Sequence, residues 1–73
     1  MNIATIKSRL QKDQRQLAAL NKLIRLIKDW DQKPEWSGNY EMGHVLHEAE
    51  AMKPKIERRI HCYEKRLDGA KTA

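Results

Sequence analysis

Phenylalanine is absent from this sequence, and two Trp and two Tyr are its only aromatic residues. Any core must therefore be built from Leu, Ile, Val, Met and Ala, without the large buried area that aromatic rings supply. Cys62 is the single cysteine, which excludes a disulfide framework and fits a reducing compartment. As a lone thiol it reads as an inert helix residue. Two prolines and three glycines leave long stretches with no helix breaker, and no Gly-rich phosphate loop is present. No apolar run approaches the ~20 residues that a bilayer span needs. Met1–Leu10 already carries Lys7 and Arg9 and lacks the apolar core of a secretory signal, so a cytoplasmic location is expected, with no membrane partner.

A further shortage bears on catalysis. Ser8 and Ser37 are the only serines, and neither is placed beside a histidine–acid pair. Glu41 and His44 form a Glu-x-x-His pair, with His47 and Glu48 close by, as in helical di-iron proteins. Such a site also needs glutamates from the facing helix, and residues 3–30 contain none. Glu41, His44, His47 and Glu48 are read as solvated residues at a helix start, where a carboxylate suits the helix dipole. The chain is expected to be no enzyme and to hold no metal or cofactor.

What the sequence does have is period. Ile3, Ile6, Leu10, Asp13, Leu17, Leu20, Ile24 and Ile27 alternate in steps of three and four, a heptad seam with one polar member. A helix over about 3–30 follows, with Asn2 as its N-cap. The stretch DQKPEWSGNY supplies a turn over about 31–39, with a short helical turn at Pro34–Trp36 and Asn39 or Ser37 as the next cap. Met42, Val45, Ala49, Met52, Ile56, Ile60, Tyr63 and Leu67 then mark a second helix over about 40–68, with one stutter near Ile56–Ile60. Pro54 lies inside it, and a kinked continuous helix is expected. Gly69 ends it and leaves a frayed tail over 69–73. The whole is one all-α helical-hairpin domain.

Folding the chain back at Trp36–Ser37 makes a register prediction. Facing residues of an antiparallel pair have numbers summing to 72 or 73. Ile6 then meets Leu67, Leu10 meets Tyr63, Leu17 meets Ile56, Leu20 meets Met52, Ile24 meets Ala49, Ile27 meets Val45 and Trp30 meets Met42. The same rule puts the polar seam residue Asp13 opposite Arg59, an ion pair that would fix register. A second stripe, Ala19, Leu23, Leu26 and Trp30, lies beside the seam and cannot be covered by one partner helix; Leu46 adds to the excess. Pairing of two hairpins into a four-helix bundle is the simplest cover, so a homodimer is expected. Leu23, Leu26, Trp30 and Trp36 are the candidate interface anchors, with Trp36 expected to cap the bundle end against Trp30 or Tyr40.

Charge is distributed unevenly. Residues 1–20 and 53–73 together hold eleven basic and four acidic residues, a balance of +7, whereas residues 21–52 hold four basic and six acidic, a balance of −2. Arg9, Lys12, Arg15, Lys55, Arg58, Arg59, Lys65 and Arg66 are therefore the candidate contacts to a partner protein or to nucleic acid. The reading that fits best is a small interaction protein that binds and modulates or inhibits a larger protein or nucleoprotein. As a background expectation, motif-free helical proteins of this size are frequent among phage and mobile-element products, including inhibitors of host defence. The alternative is direct binding of RNA or DNA by the basic open end.

Overall fold

The computed structural model describes residues 2–72, and the side-chain surroundings of residues 2–70. Helix α1 spans Ile3–Asp31, a single 3₁₀ turn spans Pro34–Trp36, and helix α2 spans Tyr40–Thr72. Among the described residues there is no strand. The two helices pack along each other as a hairpin, in a rod of 56 × 15 × 15 Å. Its radius of gyration is 16.7 Å, against about 11 Å for a compact chain of this length.

Each helix begins on an asparagine. Asn2 Oδ1 accepts from the Thr5 amide at 2.8 Å, and Asn39 Oδ1 accepts from the Met42 amide at 2.7 Å. Both caps satisfy amides that the first helical turn leaves unpaired. The turn between them is a chain of tight backbone bonds: Lys33 to Trp30, Trp36 to Lys33, Ser37 to Pro34 and Asn39 to Trp36. Pro34 suits the first position of its 3₁₀ turn, where no amide is needed. Gly38 has φ +79°, the left-handed conformation that reverses the chain into α2.

The core is a thin line of aliphatic residues. Ile6, Leu20, Ile24, Ile27, Ala49, Ile56 and Leu67 are buried. Leu20, Ile24, Ala49 and Ile56 form one cluster, flanked by the half-buried Leu17, Leu46 and Ile60. Among the described residues no side chain falls below 2% exposure, so even the best-buried groups lie near solvent. Contacts between the helices join early residues of α1 to late residues of α2, as in Asp13–Arg59, and later residues of α1 to earlier ones of α2, as in Lys28–Glu50.

The second seam differs from the sequence expectation in two places. Val45 and Met52 are each 50% exposed, while Leu46 and Lys53 are half-buried. The inward set on α2 is thus Met42, Leu46, Ala49, Lys53, Ile56, Ile60, Tyr63 and Leu67. These alternate in steps of four and three throughout, so the expected stutter is replaced by an unbroken heptad. Lys53 occupies the one polar position. A lysine serves there because its aliphatic stem covers apolar surface while the ammonium reaches water. The second difference is length: α2 runs through Gly69 to Thr72, beyond the expected end at 68. Gly69 lacks the positive φ of a helix-terminating glycine, and a helical glycine costs only about 1 kcal/mol relative to Ala. Pro54 lies within α2 without ending it.

Candidate interaction surface

One broad side of the hairpin combines the residues that the core leaves over. On α1, Ala19, Leu23, Leu26 and Trp30 follow one another at steps of four and three, and on α2 Val45 and Met52 are a heptad apart. Leu23 is 45% exposed, and Leu26, Val45 and Met52 are each 50% exposed. Leu23, Val45 and Met52 border a shallow apolar groove between the helices. Its first part, about 430 Å³, is lined by Ala19, Leu20, Leu23, Met52 and Ile56, with Gln16, Lys55 and Arg59 at the basic end. Its continuation toward the turn is lined by Leu20, Leu23, Val45, Ala49 and Met52, with His44 and Glu48 at the rim. The helix–helix seam uses residues one position along, about 100° away on each helix, so this groove holds the part of each apolar stripe that a two-helix structure cannot cover.

Trp30 and Trp36 close the turn end. Their rings stack with centroids 5.7 Å apart and planes 21° from parallel. Trp36 is half-buried by this contact, whereas Tyr40, the other capping candidate, stands 84% exposed. Of the four candidate anchors, Leu23 lines the groove, Leu26 and Trp30 are exposed on the same stripe, and Trp36 reaches the stripe through its stack on Trp30.

Asp13 and Arg59 meet across the two helices. Arg59 Nε donates to Asp13 Oδ2 at 3.2 Å, Arg59 Nη2 donates to Asp13 Oδ1 at 3.3 Å, and the same Nη2 donates to Gln16 Oε1 at 3.4 Å. The two ends of this pair differ in environment: the Asp13 side chain is 10% exposed and the Arg59 side chain 50%. A planar guanidinium suits this arrangement, since it grips the carboxylate with two donors while its outer edge stays hydrated. Asp13 is the one buried polar residue described, and among the described residues no buried side-chain polar atom lacks a partner.

Three of the eight candidate basic contacts converge near this pair. Arg9, Lys12 and Arg59 border a depression of about 320 Å³ together with Asp13, Gln16 and Tyr63. Lys12 and Arg15 border a second one on the outer side of α1, and Lys55 joins Arg59 at the end of the apolar groove. Arg58, Lys65 and Arg66 are exposed on α2 and line none of these depressions. Cys62 is exposed. Among the described residues no three His, Cys, Asp or Glu side chains converge in the way a metal ion requires, and no described helix is long and apolar enough to cross a membrane.

Sequence reasoning missed Val45 and Met52 as surface residues, having placed both in the seam. The signal that separates them is Lys53: accepting a lysine in the seam moves Val45 and Met52 to the uncovered side. No protein-family model, curated protein or solved structure matches the chain.

Proposed function

We propose that this chain is a small non-enzymatic interaction protein of the cytoplasm. In this reading it is an antiparallel helical hairpin, bent at Pro54, which pairs with a second copy into a four-helix bundle and binds a larger protein or nucleoprotein. Binding modulates or inhibits that partner by occlusion. The observation that carries the reading is the uncovered apolar side of Leu23, Leu26, Trp30, Val45 and Met52. A patch of several half-exposed large apolar residues side by side marks an interaction surface. The antiparallel sense is supported by the Asp13–Arg59 and Lys28–Glu50 contacts, in which residue numbers rise on one helix as they fall on the other.

Area supports the pairing. The chain exposes 5849 Å², whereas a compact monomer of its mass exposes about 4,700 Å². The surplus of about 1,100 Å² exceeds the ~800 Å² per partner of a standard stable interface. The experiment is affinity capture from the native host with and without nuclease. A stoichiometric protein partner that survives nuclease, and is lost with Leu26→Asp, supports the reading. Recovery of nucleic acid alone would replace it.

The second reading is binding of RNA or DNA by the basic open end. The convergence of Arg9, Lys12 and Arg59 on one depression favours it. It requires affinity that falls steeply with added salt and drops on replacement of Arg58, Arg59, Lys65 and Arg66. Absence of any shift on RNA or DNA at low salt removes it.

A further inference from the structure

The two ends of the rod carry opposite charge, and the uncovered apolar side is not centred between them. The stripe Ala19–Trp30 occupies the half of α1 nearer the turn. Its midpoint, near Leu23 and Ile24, lies about 15 Å from the turn end and about 30 Å from the open end at 1.5 Å per residue. A second copy laid on this side has two orientations. Side by side in the same sense, it sets two open ends of +7 against each other. In the opposite sense, its turn end falls against the first copy's basic half.

We propose that two copies pair through this side in opposite senses, about a two-fold axis passing near Leu23. The proposal rests on the dimer reading above and specifies its geometry. Two observations carry it. The first is charge: residues 29–41 hold Asp29, Asp31, Glu35 and Glu41 against Lys33 alone. An axis near Leu23 brings this turn level with Lys12, Arg15, Lys55 and Arg59 of the other copy. Charges act over only about 8–10 Å in physiological salt, so it is this local apposition that decides between orientations. The second is shape: the groove ends at Gln16, Lys55 and Arg59, at the level where the opposite arrangement delivers the other copy's stacked Trp30 and Trp36. Indole rings against aliphatic walls and a guanidinium form a favourable contact, with a cation–π component at the rim.

The overlap covers about 15 Å on either side of the axis. Lys7, Lys65 and Arg66 therefore stand free at both extremities of the dimer, which would offer an anionic partner two separated basic tips.

Cys62 tests this without adding a residue. It is the sole cysteine, is exposed, and sits three positions beyond Arg59, level with Leu10. Nitroxide labelling of the full chain at Cys62, followed by pulsed electron–electron dipolar spectroscopy, reads the distance between the two copies. The opposite arrangement gives a distance of about 35–45 Å from the helical rise; the same-sense arrangement gives about 25 Å or less. A 35–45 Å distribution that disappears with Leu23→Glu, while helical circular dichroism is kept, supports the proposal. A short distance overturns the orientation and leaves the dimer standing. No dipolar signal together with a monomeric mass by light scattering overturns both.

Discussion

Replacing either member of the Asp13–Arg59 pair should have unequal effects, and the inequality follows from exposure. The Asp13 side chain is 10% exposed and Arg59 50%. Arg59→Leu leaves a carboxylate buried without its guanidinium. Breaking a fully buried pair costs about 3–5 kcal/mol. One end here is hydrated and the two Arg59–Asp13 bonds are long, at 3.2 and 3.3 Å, so a loss of about 2–3 kcal/mol is expected. Asp13→Leu leaves an arginine half in water, able to turn outward and rehydrate, and restores an apolar residue to the seam. Its effect should lie within about 1 kcal/mol of zero. The double replacement Asp13→Leu/Arg59→Leu should match or exceed wild-type stability, because no buried carboxylate is left to carry a desolvation penalty. The cycle should therefore show a coupling of about 2 kcal/mol. Urea unfolding followed by circular dichroism, at one fixed protein concentration, measures all four corners. An Asp13→Leu loss larger than that of Arg59→Leu, or a cycle that adds within about 0.3 kcal/mol, would refute the reasoning.

Other perturbations separate backbone effects from packing. Gly38→Ala should destabilise by about 1 kcal/mol because the left-handed conformation is strained for alanine, even though a methyl group there would meet nothing within 4 Å. Gly43→Ala has the same open surroundings but a helical backbone, and should stabilise by about 0.5–1 kcal/mol; thermal melts of the two variants should move in opposite directions. Asn39→Ala removes the cap on Met42 and should cost about 1 kcal/mol, read from the same melts. Pro54→Ala restores a backbone donor on the solvent side of α2 and should raise stability by about 1–3 kcal/mol; a loss would mean that the proline ring itself makes a stabilising contact.

Much of this fold is legible in the chain because local and global signals agree. The asparagine caps, the Pro34–Trp36 turn and the first seam from Ile6 to Ile27 follow from residue type and spacing, whereas Ile3, expected to open that seam, is 46% exposed. Asp13 stands out as a lone acid in an apolar stripe, and its partner follows from counting back from the turn. The second seam was harder to read for a physical reason. Two adjacent stripes on α2, one through Val45 and Met52 and one through Leu46 and Lys53, fit the heptad almost equally. A lysine looks like the poorer core residue, yet its stem fills the position while Met52 is left outside. The extent of α2 was misread because Gly69 resembles a stop signal, although only backbone conformation decides whether a glycine terminates a helix. For the interaction surface, the sequence shows an apolar excess, but which residues carry it depends on the choice between those two stripes.

The most direct test of the account is the molar mass of the purified chain by size-exclusion chromatography with light scattering, across a concentration series. The chain mass is 8.6 kDa, so a two-fold assembly has about 17 kDa. A dimer of wild type that becomes a folded monomer with Leu23→Glu or Met52→Asp is the predicted result. A wild-type chain that stays monomeric and fully helical at high concentration, with Leu23, Leu26 and Met52 in water, would contradict it.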